Sequence, residues 1–198
     1  MNKIALILIV LVSSAANAKI FVDNYGRSVT KAYKKTASTS TKMRELRRVG
    51  VGLGVSGLYG TTGLGLDLNF TATNTIQTAF GIGDQYQTFH IQYKRYIGGE
   101  SFSPYVGAGY ARWYSVGSEN SAYNSSTPKF LSEKFLTAEE RLSGEFQVNM
   151  LFPSVGVQFL KLNGDWAGMG LFAELVMLID IEGLVSAPTG GLGLYYYF

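Results

Sequence analysis

Five polar side chains lie among alternating apolar residues, and their chemical types could support a function. They are Asp67, His90, Gln92, Lys94 and Glu174. Two carboxylates, an imidazole and an ammonium group together could support acid–base catalysis, ion pairing or the passage of ions. His90 is the only histidine and the chain has no cysteine. A metal site with several histidine or thiolate ligands is therefore excluded, and we expect no metal and no cofactor.

The elements that must position these residues are strands. From residue 49 onward, apolar residues alternate with glycine or polar residues in eight segments separated by turn residues. The segments are 49–59, 63–70, 75–83, 87–97, 103–116, 146–162, 168–181 and 190–198. Because side chains alternate between the two faces of a strand, one face of each segment is apolar and suits lipid. The pattern predicts an all-β fold, an eight-stranded antiparallel up-and-down transmembrane barrel, with the five polar residues facing the lumen.

Two segments depart from simple alternation. Arg112 falls on the apolar face of the fifth segment, and we place it at the outer rim, where its side chain can reach lipid headgroups. In the sixth segment the apolar phase changes by one residue between Phe152 and Val155. We predict a bulge at Pro153 that restores the facing, because proline lacks the ladder donor and a bulge shifts the register by one.

The amino-terminal residues predict export. Lys3 precedes an unbroken apolar run, 4–12, and Ala16 and Ala18 form a small-residue cleavage site, so residues 1–18 are predicted to be a signal peptide and Lys19 the first mature residue. Residues 19–48 carry nine Lys or Arg against two acidic residues. We interpret 19–48 as a basic, flexible periplasmic arm, a solvated tail that leads into the first strand, in which 43–48 could form a short helical turn. The alternative is that its basicity is functional and holds anionic lipid headgroups or acidic periplasmic partners.

The carboxy-terminal strand carries a second predicted targeting signal. Gly193, Tyr196 and Phe198 occupy a Gly-x-x-aromatic-x-Phe pattern on an alternating strand. This pattern resembles the signal by which the barrel-assembly machinery of Gram-negative bacteria recognises outer-membrane β-barrel proteins. The composition agrees, since aromatic residues make up 14% of the chain and there are 24 glycines but only 4 prolines.

Residues 49–198 resemble the small OmpA/OmpX-type outer-membrane proteins. The resemblance rests on eight strands, with short turns on one side and a long segment, 117–145, on the other. The resemblance implies a location in the cell outer membrane and contact with outer-membrane lipids and lipopolysaccharide. A nucleic-acid partner is not expected, because a secreted chain rarely meets one.

The lumenal residues admit three interpretations. The interior of an eight-stranded barrel is filled by side chains, so we predict that Asp67, His90, Gln92, Lys94 and Glu174 form an internal network of salt bridges and hydrogen bonds. In the OmpA-like relatives an exchange of such pairs is proposed to open a narrow path, and a small-solute or ion channel is the alternative. The third class is a lipid A-modifying barrel enzyme, in which a histidine stands with a serine and a carboxylate near the outer rim.

The enzyme pattern fits this chain poorly. His90 is in mid-strand, and Gln92 stands where the deacylase pattern has a serine. We therefore predict a non-enzymatic barrel with a structural or surface-interaction role.

Residues 52–57 have the spacing of a dinucleotide-binding loop, Gly-x-Gly-x-x-Gly. That loop needs a following helix and a distal acid, and no such context is present here. Glycines at every second position of a lumenal face explain the spacing.

The segment 117–145 is the predicted site of contact with a surface partner. Leu131, Phe135, Ala138 and Leu142 recur at helical spacing and predict an amphipathic helix on the outer leaflet or over the barrel mouth. A strand extension or a mobile loop is equally consistent with the sequence. If 117–145 formed a membrane hairpin, the barrel would have ten strands.

Deleting Phe198 is expected to leave secretion intact and to impair insertion into the outer membrane, because the terminal aromatic belongs to the assembly signal. Surface labelling of cells that produce the full-length and truncated proteins measures this. Equal surface abundance of the two proteins would contradict an assembly role for the terminal strand.

Overall fold

The computed structural model describes residues 37–116 and 129–198, and the contacts below lie within one compact unit, residues 36–197. Eight strands form a closed barrel in which each strand is antiparallel to the next and β8 pairs with β1. The strands are β1 Val49–Val55, β2 Thr62–Asn69, β3 Asn74–Ile82, β4 Tyr86–Tyr96, β5 Phe102–Ser115, β6 Gln147–Leu160, β7 Met169–Asp180 and β8 Ser186–Tyr197. The predicted eight-stranded barrel is confirmed. The predicted signal peptide, 1–18, and the part of the arm before residue 37 lie outside the described residues.

The two faces of the strands differ in chemistry. Outward side chains are large and apolar, and Leu64, Leu175 and Leu192 are 56%, 68% and 58% exposed. Inward positions hold glycine, polar side chains, aromatic rings and, towards the loop end, aliphatic side chains, and most of these are buried. The period-2 alternation that the sequence shows therefore describes the barrel wall from β1 to β8. A ten-stranded barrel is excluded, because the ring closes with eight strands and the described part of 117–145 is helical or irregular.

The predicted bulge at Pro153 is wrong. The register between β5 and β6 is continuous, with Ala108 opposite Pro153. Pairing of β6 with β7 lapses at 152–153 and resumes in the same register at Ser154 opposite Val176. The apolar residues before Pro153 do not need to face lipid, because Phe152 belongs to an apolar cluster inside the barrel. The apolar phase changes along this strand because different kinds of side chain fill the lumen before and after Pro153.

β1 is the part of the barrel wall whose lumenal face is lined by glycine. Its inward residues are all glycine, and a Cβ at any of them would lie between 2.5 and 2.6 Å from a tyrosine ring atom. These pairs are Gly50 with Tyr197, Gly52 with Tyr195 and Gly54 with Tyr59. The strand ends at Val55 rather than at residue 59, because a single 3₁₀ turn, η1 (Gly57–Tyr59), folds back into the lumen. Packing against tyrosines therefore accounts for the glycine spacing.

The barrel has two distinct ends. We call the end where β1 begins and β8 finishes the terminal end; it carries the turns 70–73, 97–101 and 161–168. The opposite end, the loop end, carries the connections 56–61, 83–85, 116–146 and 181–185. The longest connection is therefore at the loop end, as the sequence predicts.

A short helix closes the terminal end. Helix α1, Ser40–Leu46, starts at the N-cap Thr39 and buries Met43 and Arg44 completely or nearly so, at 0% and 1% exposure. The Ser40 amide donates to the carbonyl of Glu100 at 2.7 Å, which fixes the helix to a strand-connecting turn.

Arg47, the residue that follows α1, attaches the end of the helix to the barrel. Its guanidinium donates to the carbonyls of Ala167 and Tyr197. The prediction of a flexible arm is therefore wrong for residues 40–47, because apolar burial and these hydrogen bonds attach them to the barrel. On the solvent side of α1, Lys42 donates to Glu45 at 2.8 Å and lowers the pKa of the Glu45 carboxyl.

Two helices cross the loop end instead of the single predicted one. Helix α2, Lys129–Lys134, and helix α3, Ala138–Ser143, are separated at Thr137, which caps α3 in a reciprocal capping box with Glu140. Leu131, Phe135 and Leu136 pack into the apolar cluster of the lumen, whereas Leu142 is 79% exposed. The predicted stripe from Leu131 to Leu142 is wrong, because the new helix start at Thr137 turns its second half away. No helix among the described residues is long and apolar enough to cross a membrane.

Replacing Met43 by alanine is expected to lower the free energy of unfolding by about 2–4 kcal/mol, because the side chain is fully buried at the terminal end. Lys42→Ala in the same helix is the control, and its effect is expected to stay within about 0.5 kcal/mol because Lys42 is exposed. Chemical unfolding in detergent micelles measures both variants. Equal effects would contradict the docked helix.

Candidate functional site in the barrel lumen

The lumen contains all five of the polar residues that the sequence singles out. Asp67 comes from β2, His90, Gln92 and Lys94 come from β4, and Glu174 comes from β7. None is more than 4% exposed. Since burial of an isolated charge is costly, their partners determine what the site can do.

Asp67 is held by neutral donors. Its Oδ1 accepts from Gln77 Nε2 at 2.8 Å, and its Oδ2 accepts from the Tyr197 hydroxyl at 2.6 Å. Gln77 Nε2 also donates to the Tyr195 hydroxyl at 2.7 Å, which lies 3.0 Å from the Tyr59 hydroxyl. Asp67 is therefore linked to β3, to β8 and to η1, the 3₁₀ turn of the connection 56–61.

The same network reaches the terminal end. Gln158 Nε2 donates to the Tyr197 hydroxyl at 2.7 Å, and Arg44 Nη2 of helix α1 donates to Gln158 Oε1 at 3.0 Å. The Arg44 guanidinium also lies over the Tyr96 ring, 3.5 Å from its centroid. A continuous set of hydrogen bonds thus joins α1 to Asp67.

Glu174 is the centre of a second group. Its Oε2 accepts from the Tyr105 hydroxyl at 3.1 Å and from Gln92 Nε2 at 3.3 Å, and Gln92 Nε2 also donates to Ser154 Oγ at 2.7 Å. Glu174 Oε1 and Gln92 Oε1 are buried and have no hydrogen-bond partner in the structure. Both carboxylate oxygens of Asp67 accept a hydrogen bond, whereas Glu174 has one oxygen without a donor. The two buried acceptors suit a bound water molecule or a proton.

Lys94 does not form the predicted salt bridge. Among the described residues it has no ion pair within 4 Å with Asp67 or Glu174. Its ammonium instead lies 4.9 Å from the Tyr105 ring centroid and 5.2 Å from that of Phe172. The salt-bridge part of the predicted network is therefore wrong. Tyrosine and glutamine side chains donate hydrogen bonds to the carboxylates, and two aromatic rings stabilise the Lys94 ammonium.

His90 faces aromatic rings inside the barrel. Its Nε2 is 3.4 Å from Gln77 Oε1, and its ring makes an edge contact with Tyr59, with centroids 5.1 Å apart. At 0% exposure, His90 cannot contact a lipid outside the wall. No group of three or more potential metal-ligating side chains occurs among the described residues.

Sequence reasoning missed the tyrosines and glutamines that satisfy the carboxylates. These are Tyr59, Gln77, Tyr105, Gln158, Tyr195 and Tyr197, together with Arg44 of α1. The inward phase of β3, β6 and β8 marks most of them as lumenal, and that signal was available. Arg44 and Tyr59 lie outside the strands, and no period-2 pattern could have found them.

Comparison with known proteins identifies the fold. No protein-family model and no curated protein sequence matches the chain. The N-terminal β-barrel domain of Pseudomonas aeruginosa OprF matches with a TM-score of 0.54 at 17% identity, covering 76% of this chain and 96% of that one. The fold is that of the small OmpA/OmpX-type barrels. The Yersinia pestis outer-membrane protein Ail matches with a TM-score of 0.41 at 14% identity, covering 77% of this chain and 99% of the other.

Replacing Tyr197 by phenylalanine is expected to lower the free energy of unfolding by about 3 kcal/mol, because it leaves Asp67 Oδ2 buried without its donor. Tyr196→Phe is the matched control. Tyr196 is the next residue of the same strand, and it faces outward and is 41% exposed, so we expect a change within about 0.5 kcal/mol. Urea unfolding in micelles compares the two, and indistinguishable midpoints would contradict the buried network.

Proposed function

We propose that the protein is an outer-membrane barrel with a closed, side-chain-filled lumen and a structural or surface-interaction role. The first support is the outward surface. Its apolar side chains are exposed from β1 to β8, far beyond the isolated patches that a soluble monomer presents. Lipid is the environment in which such a surface is stable.

The height of the apolar surface supports a membrane-spanning barrel. Phe102 and Arg112 are exposed on the outward face of β5, ten residues apart. That separation is roughly 34 Å along a strand, or roughly 26 Å vertically at a tilt of about 40°. Outer-membrane barrels have an apolar band about 25 Å high.

The sealed lumen is the observation that carries the proposal of a non-conducting barrel. Helix α1 fills the terminal end with Met43 and Arg44, and the networks of Asp67 and Glu174 fill the middle. An apolar cluster fills the loop end, and its members come from the wall, from η1 and from the 116–146 connection. They include Leu58, Trp113, Leu131, Phe135, Met150 and Leu178. Among the described residues each level of the lumen is occupied by side chains, which supports a barrel without an open water path.

The proposed location and orientation rest on the targeting patterns that the sequence predicts at its two ends. We propose export by residues 1–18, assembly through Gly193, Tyr196 and Phe198 by the barrel-assembly machinery, and residence in the cell outer membrane of a Gram-negative bacterium. The short turns at the terminal end then face the periplasm, and the loop end faces outward. The exposed helix α3, within 117–145, is the surface we propose for an external partner.

Two alternatives remain distinct from this proposal. A narrow channel is favoured by Lys94 and by the unpaired Glu174 Oε1, since charges without direct partners can exchange with water or ions. A lipid A-modifying enzyme would need His90 near the lipid face, and its burial inside the wall argues against that role.

Purified, refolded protein is expected to give no discrete conductance steps in a planar lipid bilayer, because both ends of the lumen are filled. Insertion is checked in the same preparation by protease protection of the barrel, and a water-filled porin serves as the positive control. Regular, voltage-independent steps from inserted protein would overturn the closed-lumen proposal and favour the channel. Failure to insert would overturn the membrane-barrel proposal itself.

A further inference from the structure

A shallow groove lies on the outward face near the loop end. It has a volume of about 370 Å³ and is lined by Phe80, Phe89, Arg112 and Tyr114. Phe80 is opposite Phe89, and Phe89 is opposite Arg112, so one row across β3, β4 and β5 forms its base. The two phenylalanine rings are each 41% exposed. The groove therefore presents two apolar rings beside one cationic group.

The groove lies at the edge of the apolar surface that is nearest the loop end. Outward polar side chains pair with one another there: Tyr114 donates to Gln87 at 2.9 Å, Tyr110 donates to Asn149 at 2.7 Å, and Arg112 donates to Gln147. These three hydrogen bonds form a polar belt across β4, β5 and β6. Polar groups that pair along the outside of a barrel mark the level at which hydrocarbon gives way to headgroups.

Arg112 is the cation of this belt, and the described residues engage only part of its guanidinium. It forms no ion pair with a carboxylate of the described residues. One of its five N–H groups donates to Gln147, and the guanidinium lies 5.9 Å from the Tyr114 ring centroid. A guanidinium at an apolar edge binds phosphate oxygens well, because its planar donors match them in pairs.

We propose that this groove binds one phosphate-bearing, acylated lipid of the leaflet at the loop end. Arg112 binds the phosphate, Gln147 and Tyr114 orient the guanidinium, and an acyl chain packs on Phe80 and Phe89. The charge of the groove favours an anionic headgroup, and its apolar wall favours an attached chain over a free phosphate ion. This inference rests on the proposed membrane-spanning function.

The test is lipid retention by refolded protein in detergent micelles, measured by native mass spectrometry with lipid A that carries both phosphates. Wild type is expected to retain one lipid, and Arg112→Gln to lose roughly tenfold in affinity, as for loss of a charge-assisted hydrogen bond. Dephosphorylated lipid A should bind wild type as weakly as the intact lipid binds Arg112→Gln. Inorganic phosphate at the same concentration should not displace the lipid.

Arg95→Gln is the matched control. Arg95 also faces outward, on β4, but it is opposite Asn74 and Val106, towards the terminal end. Its affinity for lipid A is expected to stay within about twofold of wild type. Equal losses in the two variants would overturn the site in favour of general attraction to cations, and no loss in Arg112→Gln would overturn it outright.

The retention assay is scored only on folded protein. Both variants are first checked for the heat-dependent gel mobility of a folded barrel and for insertion into vesicles. If both proteins fold and insert but wild type and Arg112→Gln bind lipid A equally well, the lipid site is refuted and the proposed function stands. A wild-type protein that does not insert refutes the proposed function instead.

Discussion

Closure of a narrow ring is the constraint on which the rest of this structure depends. When β8 pairs with β1, the wall has no free edge, and every inward side chain must find its partners inside the lumen. The closure is possible because β1 contributes only glycine to that space, at Gly50, Gly52 and Gly54. The rings of Tyr59, Tyr195 and Tyr197 occupy the room that the missing side chains leave.

Tyrosines also explain how buried charge is tolerated. Asp67 and Glu174 each accept a hydrogen bond from a tyrosine hydroxyl, and Arg44 and Lys94 lie over aromatic rings. Two cations and two carboxylates are thus buried without a direct ion pair among them. Burial of each charge carries a large desolvation cost whether or not an ion pair forms, and here hydrogen bonds from neutral donors on several strands and contacts with aromatic rings offset part of that cost. A network of this kind also ties together strands that are not neighbours in the wall.

The lumen divides by chemistry along its length. Helix α1 occupies the terminal end, polar networks occupy the middle, and an apolar cluster occupies the loop end. The terminal end is closed by a docked helix that combines apolar burial with hydrogen bonds, and the loop end is closed mainly by burial of apolar surface. Among the described residues, the outside of the wall with its polar belt and the exposed helix α3 remain accessible. These are the surfaces on which the proposed interaction with a partner depends.

The wall and its two faces could be predicted from the sequence, because a strand repeats every two residues and lipid demands an unbroken apolar face. Leu192, Leu194 and Tyr196 already show which side of β8 faces outward, and Asp67 and Glu174 fall on the inward side. The irregular elements could not be predicted in this way.

Helix α1, η1 and the break at Thr137 follow local capping and burial, which have no period to detect. The sequence alone determined that Lys94 lies in the lumen with two carboxylates. Only the tertiary structure decided that it lies over Tyr105 and Phe172. The physical reason is that the depth of each side chain depends on the registers of all eight strands together, and that information is distributed around the ring.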